Sequence, residues 1–182
     1  MIDEILPDDL FSMEAGSVNL PPFESFPTLT FENLVLRKMT GDDVPLLLDI
    51  MAYDKPKQAK NLAKAIEIYE RNEQDYAQGQ AVSWLIVDKK TSELLGTCGY
   101  YRGFGAATGE LGFVLLPQYE GKGIMRKALR PVIAFGLEKL NLQRITAITR
   151  TTNKRALKLL HALDFVEIAD LEDNQIAYEY FG

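Results

Sequence analysis

Residues 110–130 read ELGFVLLPQYEGKGIMRKALR, and this stretch decides the fold. It begins with an apolar run, Leu111 to Leu116, that lies between Gly109 and Pro117 and is typical of a buried strand. A polar turn with two glycines follows. Apolar residues then recur at helical spacing, at Met125, Ala128, Leu129, Val132 and Ile133. The stretch therefore predicts a strand, a glycine turn and a helix with one buried face.

A strand, a glycine turn and a helix N-terminus together predict an anion-binding site. The first amides of a helix have no partners inside the helix and carry partial positive charge. Glycine lets a phosphate approach the backbone closely, and the turn holds Gly121 and Gly123. The pattern therefore indicates a ligand that bears phosphate.

Length and composition place limits on the class of protein. A chain of 182 residues with this ordinary composition is expected to form one globular domain. No apolar run approaches the ~20 residues needed to span a bilayer, and the acidic first residues do not resemble a secretory signal. Cys98 is the only cysteine and no metal-ligand spacing appears, so we expect neither a disulfide nor a metal. We expect a cytoplasmic protein with no membrane partner.

The net charge of −6 is unevenly distributed. Residues 1–25 hold six acids and no Lys or Arg, which leaves 20 acids and 20 bases in the rest of the chain. A neutral body argues against nucleic acid as the main partner. We interpret residues 1–27 as an acidic arm and proline-containing linker, and residues 28–182 as the domain. The arm either packs on the body or frays, or it serves as a lid over an acceptor cleft or as a dimer contact. Both a monomer and a homodimer stay open.

The remaining segments predict an α/β (α+β) protein with the order β-α-α-β-β-β-α-β-α-β-β. Besides the central strand and helix, strands are predicted at 34–39, 81–87, 94–101, 144–149, 165–169 and 175–181, and helices at 44–51, 57–77 and 153–163. Thr40-Gly-Asp-Asp43 is a helix-start signal for the first of these helices. Residues 103–109 are predicted to be a loose loop.

This order and three motifs resemble the GNAT superfamily of acetyl-CoA-dependent N-acetyltransferases, and in particular its ribosomal-protein N-terminal acetyltransferase branch. Residues 29–40, LTFENLVLRKMT, look like that branch's opening LTTERLxLRxLT, and residues 110–125 look like EIGYxLxPxYWGKGYA. Asn153, Ala156 and Leu163-Asp164-Phe165 look like NxxSxxxxxKLGF. The resemblance runs from about Leu29 to the C-terminus. It implies a mixed, mostly antiparallel central sheet with helices on both faces and strands that splay apart at the cofactor site.

The resemblance also implies an acyltransferase that binds acetyl-CoA as a co-substrate. The pyrophosphate would lie on the amides from Gly121 to Arg126, the pantetheine would run along the central strand, and Asn153 would contact the CoA arm while it caps its helix. The cofactor-binding residues implied in this way are Phe113, Val114, Leu115, Gly121, Lys122, Gly123, Ile124, Met125, Arg126 and Asn153.

Two registers fit the phosphate loop. Gln118-x-x-Gly121-x-Gly123 matches the family pattern Gln/Arg-x-x-Gly-x-Gly/Ala literally. An alignment from Pro117 instead uses Glu120-Gly-Lys-Gly123-Ile-Met125, and we favour it because it needs no gap. In this register Glu120 stands where a neutral or basic residue is usual, and we expect it to repel a pyrophosphate unless it is turned to solvent. Met125 stands where Gly or Ala is usual, and we expect it to crowd the helix start.

Acetyl transfer to an amine requires that the ammonium first lose a proton. Glu110 begins the central strand and is the candidate general base, directly or through a water. Its alternative roles are a surface ion pair or a contact for a cationic acceptor. The thiolate leaving group needs a proton or a polar environment, and many relatives use a tyrosine for this where the present chain has Leu160. The candidates to replace that tyrosine are Tyr100, Tyr101 and Tyr178, each of which is otherwise a core or cleft-lining residue. A nucleophilic role for Cys98 is not expected, because nothing places His161 near it.

The leading hypothesis is an N-acetyltransferase that moves an acetyl group to a primary amine by direct attack in a ternary complex. The acceptor, a protein N-terminus or a small amine, stays open. The alternative is a non-catalytic CoA-binding regulatory module, which the missing tyrosine, Glu120 and Met125 motivate. A nucleotide-binding protein is disfavoured because both Gly-Lys-Ser/Thr and Gly-x-Gly-x-x-Gly are absent.

Overall fold

The computed structural model describes residues 17–45, Leu48 and residues 61–182. Within these residues the chain forms an eight-stranded sheet, three α-helices with described bounds and short 3-10 turns, one of them at Gly41–Asp43. The strands are β1 (Leu29–Phe31), β2 (Leu34–Arg37), β3 (Val82–Asp88), β4 (Leu94–Tyr101), β5 (Thr108–Leu115), β6 (Arg144–Arg150), β7 (Phe165–Leu171) and β8 (Gln175–Tyr180). The helices are α1 (Leu62–Ala77), α2 (Ile124–Glu138) and α3 (Lys154–His161).

The strand order in the sheet is β1-β2-β3-β4-β5-β6-β8-β7, and every neighbouring pair is antiparallel except β5 and β6. Parallel neighbours need a crossover connection, and α2 provides it between β5 and β6. The predicted mixed, mostly antiparallel sheet is therefore confirmed.

Each face of the sheet carries its own apolar cluster, because successive side chains of a strand point to opposite faces. We call the side that carries Trp84, Tyr100 and Leu111 the α2 face, since the buried residues of α2 and Leu160 of α3 pack there. On the opposite side, which we call the α1 face, Ala65 and Ile68 of α1 belong to a second cluster with Leu85 and Val87 of β3 and with Leu116, which directly follows β5. Helices therefore cover both faces, as the sequence pattern predicts.

Helix α2 is held against the middle of the sheet by Tyr100. The Tyr100 hydroxyl donates a hydrogen bond of 2.9 Å to the carbonyl oxygen of Val132. A Cβ at Gly136 would lie 2.1 Å from that hydroxyl, so only glycine fits at this position of the helix. The helix thus approaches the sheet closely, and this fixes its first turn beside the C-terminal end of β5.

The described part of the N-terminal segment, residues 17–27, packs on the body. The amide of Asn19 donates to the carbonyl oxygen of Leu140 at 3.0 Å, and the indole of Trp84 donates to the carbonyl oxygen of Pro27 at 2.6 Å. The ring of Phe23 lies edge-on to Phe135, with centroids 5.9 Å apart. These residues form part of one rim of the core.

Several predicted element boundaries need correction. The strand predicted at 34–39 corresponds to β2, and a short strand that was not predicted, β1, precedes it and pairs with it as a hairpin. The loop predicted at 103–109 ends at Ala107, because β5 already starts at Thr108. The helix start at Thr40 is confirmed by a capping box with Asp43. The predictions for residues 1–16, for most of 44–51 and for 57–60 lie outside the described residues.

No helix in the part of the chain that the structure describes is long and apolar enough to cross a membrane.

Candidate cofactor and acceptor site

A gap opens between β5 and β6 partway along the two strands. Their parallel pairing joins Thr108–Leu111 to Arg144–Ala147 and ends there. β5 continues through residues 112–115 and β6 through residues 148–150. Across this gap neither strand is paired with the other, so backbone groups of both strands face it. The gap starts at Gly112, and it is the splay that the sequence resemblance implies.

The loop between β5 and α2 presents free backbone donors at the end of this gap. Gly121 and Gly123 have φ values of 73° and 74°, and a Cβ at either would meet no atom within 4 Å. The first α-helical hydrogen bond runs from the amide of Lys127 to the carbonyl oxygen of Gly123. Within the described residues, the amides from 121 to 126 have no acceptor. The loop is therefore open on the outside and rich in donors, as an anion site requires.

The two residues expected to disturb this loop are both accommodated. Glu120 is paired with the guanidinium of Arg155 in the first turn of α3, so its charge is offset rather than turned to solvent. Met125, in the first turn of α2, is 6% exposed, and its side chain packs in the core. Its side chain leaves the outer side of the helix start clear. The favoured register therefore places no uncompensated charge and no bulky side chain over the donors.

Basic side chains flank the loop. The ammonium of Lys122 lies 5.6 Å from the centre of the Tyr119 ring. Arg126 is exposed in the first turn of α2, where it lines a cleft of about 580 Å³ together with Arg130 and Tyr180. Both arginines can attract a phosphate in this neighbourhood. Among the described residues, no group of three or more His, Cys, Asp or Glu side chains could hold a metal ion.

Asn153 caps α3 at the far side of the gap, directly after β6. Its side-chain oxygen accepts a hydrogen bond of 3.2 Å from the amide of Ala156. Asn153 is exposed, so its N-cap role and a contact with a ligand in the gap are compatible.

Glu110 lies on the α1 face of β5, two residues before the gap opens. Its register partners are Tyr101 on β4 and Thr146 on β6. One carboxylate oxygen is 2.9 Å from a guanidinium nitrogen of Arg102, and the carboxylate side chain is 25% exposed. The ion pair that we gave as an alternative is therefore present, and it leaves Glu110 accessible next to the gap.

The three candidate tyrosines occupy different environments. Tyr100 is fully buried on the α2 face and bound to α2, so it is a core residue. Tyr178 also lies on that face, with its hydroxyl 3.4 Å from Nε2 of His161. Tyr101 lies on the α1 face, the same side of the sheet as Glu110. Burial raises the pKa of both Tyr101 and Tyr178, so both phenols stay protonated at neutral pH.

Two other sequence features are structural. Leu160, which replaces the tyrosine of many relatives, is fully buried in the core. Cys98 is also fully buried, and burial raises the pKa of its thiol, so it is protonated and enclosed. His161 contacts Tyr178 rather than Cys98.

Three charged residues of the site were not singled out from the sequence. These are Arg102, Arg130 and Arg155. Arg102 stands eight positions before its partner Glu110, and Arg155 stands 35 positions after Glu120. The acids Glu110 and Glu120 could have prompted a search for basic partners, but no periodic sequence pattern connects either acid to its arginine.

Comparisons with known proteins agree with this architecture. The chain matches the acetyltransferase (GNAT) domain family over residues 33–166. It is 31% identical to uncharacterized N-acetyltransferase p20 of Bacillus licheniformis over 159 residues, which cover 82% of this chain and 88% of that protein.

Solved structures share the fold. The acetyltransferase from Agrobacterium tumefaciens str. C58 has a TM-score of 0.73 at 22% identity, over 89% of this chain and 98% of that one. RimL, a ribosomal L7/L12 alpha-N-protein acetyltransferase in complex with coenzyme A, has a TM-score of 0.74 at 17% identity, over 86% of this chain and 97% of that one. With the family match across most of its length and the same fold, this chain belongs to the GNAT family and is an acetyltransferase.

Proposed function

We propose that this protein transfers the acetyl group of acetyl-CoA to a primary amine that attacks directly in a ternary complex. The observation that carries the proposal is the position of the gap. It opens between the unpaired donors of the loop after β5 at one end and the Glu110 carboxylate at the other. A thioester carrier with a diphosphate needs donors for the phosphates and a slot for an extended arm. An amine acceptor needs a group that takes its proton.

The residues of the chain fit acetyl-CoA. The amides from Gly121 to Arg126 would hold the pyrophosphate, and Lys122, Arg126 and Arg130 would add positive charge. The unpaired edge of β5 at Phe113, Val114 and Leu115 would pair with the amides of the pantetheine arm, like an added strand. Further contacts would come from the backbone of Ile124 and Met125 and from the side chain of Asn153, at the two helix starts.

Acetyl-CoA supplies an activated acyl group, and the chain supplies positioning and proton transfer. Glu110 would accept the proton of the acceptor ammonium, directly or through a water, because it lies two residues from the point where the gap opens. Unpaired amides on the edge of β5 would stabilise negative charge on the carbonyl oxygen. As the new C–N bond forms, the C–S bond of the thioester breaks, and the leaving thiolate takes up the second proton that the attacking nitrogen gives up, so that free thiol is released. The arrival of the ammonium would compete with Arg102 for the same carboxylate.

The acceptor class is an amine, on either a protein N-terminus or a small molecule. RimL, which shares the fold, is a ribosomal L7/L12 alpha-N-protein acetyltransferase, and this makes an N-terminal peptide one arm of the test. Two of the three observations that favoured a non-catalytic module no longer do so, because Glu120 is paired with Arg155 and Met125 is buried in the core. We further propose residues 28–182 as the catalytic domain.

Calorimetry with acetyl-CoA, followed by release of free thiol with a panel of N-terminal peptides and small amines, tests the proposal. We expect binding of acetyl-CoA and thiol release that depends on an amine. Binding without release for every amine would instead support the non-catalytic module. Absence of binding would overturn both functions.

A further inference from the structure

The ring of Tyr101 lies flat on the sheet at the point where the gap opens. Gly112 is the first residue of β5 beyond the last pair with β6. A Cβ built on Gly112 would lie 2.8 Å from Cδ2 and 2.9 Å from Cε2 of Tyr101. The ring therefore covers the Cα of Gly112 on the α1 face, and only the absence of a side chain lets it do so.

The neighbouring positions extend this flat surface. Gly99 is the partner of both Gly112 and Ser83, and a Cβ on Gly99 would lie 2.4 Å from the carbonyl oxygen of Val82. The hydroxyl of Tyr101 lies beside Ser83. The Tyr101 ring thus covers Gly112, which is paired with a second glycine, and the side chain of Glu110 stands next to the ring on the same face.

Tyr100, which precedes Tyr101 on β4 and lies on the opposite face of the sheet, is an exclusively structural tyrosine. Tyr100 has no exposed surface, and its hydroxyl is bound to α2. Tyr101 keeps part of its surface exposed, beside a carboxylate that is itself 25% exposed. An aromatic face and a carboxylate side by side suit an alkylammonium group, since the ring attracts the cation and the carboxylate pairs with it.

We infer that the ring of Tyr101 is the floor of the acceptor site and positions the amine between itself and Glu110. This inference rests on the proposed function and adds the requirement that the acceptor enters from the α1 face as an ammonium group. Tyr101 acts as a positioning residue, because the face of its ring, and not its hydroxyl, would meet the ammonium group.

Steady-state kinetics with separate KM values for the amine and for acetyl-CoA test the inference. We expect Tyr101→Leu to raise the KM for the amine about tenfold, since loss of a partly desolvated cation–π contact has an effect of this order, while the KM for acetyl-CoA stays within about twofold. Tyr101→Phe keeps the ring and should retain the wild-type KM for the amine. Tyr100→Phe is the matched control, because it loses a buried hydrogen bond of the same strand on the other face. It should lower the melting temperature without raising that KM.

Gly112→Ala provides a second, independent route to the same effect. Its methyl group would displace the ring, so the KM for the amine should rise. On top of Tyr101→Leu the same substitution should add little, because no ring remains to be displaced.

The failures of the two proposals can be told apart. An active wild type in which Tyr101→Leu changes the KM for the amine no more than Tyr100→Phe does would overturn this inference alone. So would full additivity of Gly112→Ala and Tyr101→Leu. A wild type that binds acetyl-CoA and releases no thiol with any amine would overturn the proposed function and, with it, this inference.

Discussion

Glu120 and Arg155 form an ion pair that joins the loop after β5 to the first turn of α3. The two residues follow the two strands that border the gap, so the pair connects both sides of its open end. The carboxylate side chain is 21% exposed and the guanidinium side chain 75% exposed. The acid in the loop is thus neutralised by a base that solvent can reach.

We predict opposite effects when either partner of this pair is removed. Glu120→Gln removes a negative charge beside the donors and frees Arg155, so the Kd for acetyl-CoA should fall about threefold. Arg155→Gln leaves the acid uncompensated, so the Kd should rise by a similar factor, as expected for an exposed ion pair. Calorimetry at two salt concentrations measures both changes. A shift of both variants in the same direction would contradict the electrostatic role of the pair.

Gly123 should be required for binding more than for folding. Its φ of 74° makes any side chain cost about 1–2 kcal/mol of stability, but a Cβ there meets only open space. In the proposed complex that space holds the pyrophosphate, so Gly123→Val should lower the affinity for acetyl-CoA more than tenfold.

Gly79→Ala is the control for backbone strain, because Gly79 has a φ of 73° outside the proposed site, where a Cβ would lie 3.1 Å from the carbonyl oxygen of Pro21. It should lower the free energy of unfolding and leave the affinity unchanged. Equal losses of folding and affinity in Gly123→Val would mean that Gly123 is only structural.

Glu110→Gln should lower kcat about 100-fold, the usual contribution of a general base, and should shift the pH dependence of turnover, because the acceptor must then lose its proton without that base. Arg102→Gln is the informative companion, because it leaves the carboxylate and removes the cation that occupies it at 2.9 Å. We expect it to lower the KM for the amine and to keep the pH profile. A Glu110→Gln profile that is unchanged in shape would remove the base assignment.

The sequence pattern predicted the central elements well, because their signals are local. The apolar run of β5, the glycines and the spacing of α2 lie within about twenty residues of one another, and each has a physical reason to fold in only one way. β1 was missed because its three residues are too few for a periodic pattern. The ends of the gap and the choice between Tyr100 and Tyr101 depend on strand register. Only the pairing of β4 with β5 and of β5 with β6 determines which tyrosine shares a face with Glu110.

The N-terminal segment is a second region whose contacts the sequence pattern could not determine. Its prolines and acids indicated an arm, and the sequence left open whether the arm packs on the body, frays, covers a cleft or forms a dimer contact. In the structure, Phe23 and Phe26 contact the rings of Tyr76, Trp84 and Phe135. Deletion of residues 1–25 should leave a folded body that is about 2 kcal/mol less stable, because it removes a half-buried aromatic side chain. Phe23→Ala in the full chain should reproduce most of that loss in urea unfolding. A deletion that changes nothing would mean that these contacts add no stability.

Asp43 should make the stability of the fold dependent on acid pH. Its carboxylate accepts two hydrogen bonds from the Arg37 guanidinium, at 2.7 and 2.8 Å, and two more from Thr40. These contacts, the hydrogen bonds of Arg37 above all, lower the pKa of Asp43 to about 2, against an ordinary value of 3.8. A carboxyl with a lowered pKa stabilises the fold above its unfolded pKa, and this contribution is lost as the pH falls from about 4 toward about 2.

Asp43→Asn should therefore cost about 2 kcal/mol at neutral pH, the free energy that corresponds to this pKa shift. The difference in unfolding free energy between this variant and the wild type should shrink as the pH approaches 2, since the wild-type carboxyl is then protonated as well. Asp42→Asn is the matched control, because it removes the exposed acid next to it and should change little. Urea unfolding at several pH values measures all three proteins. A difference between Asp43→Asn and the wild type that stays constant from pH 7 to 2 would show that the ionised carboxylate is not the source of the stability.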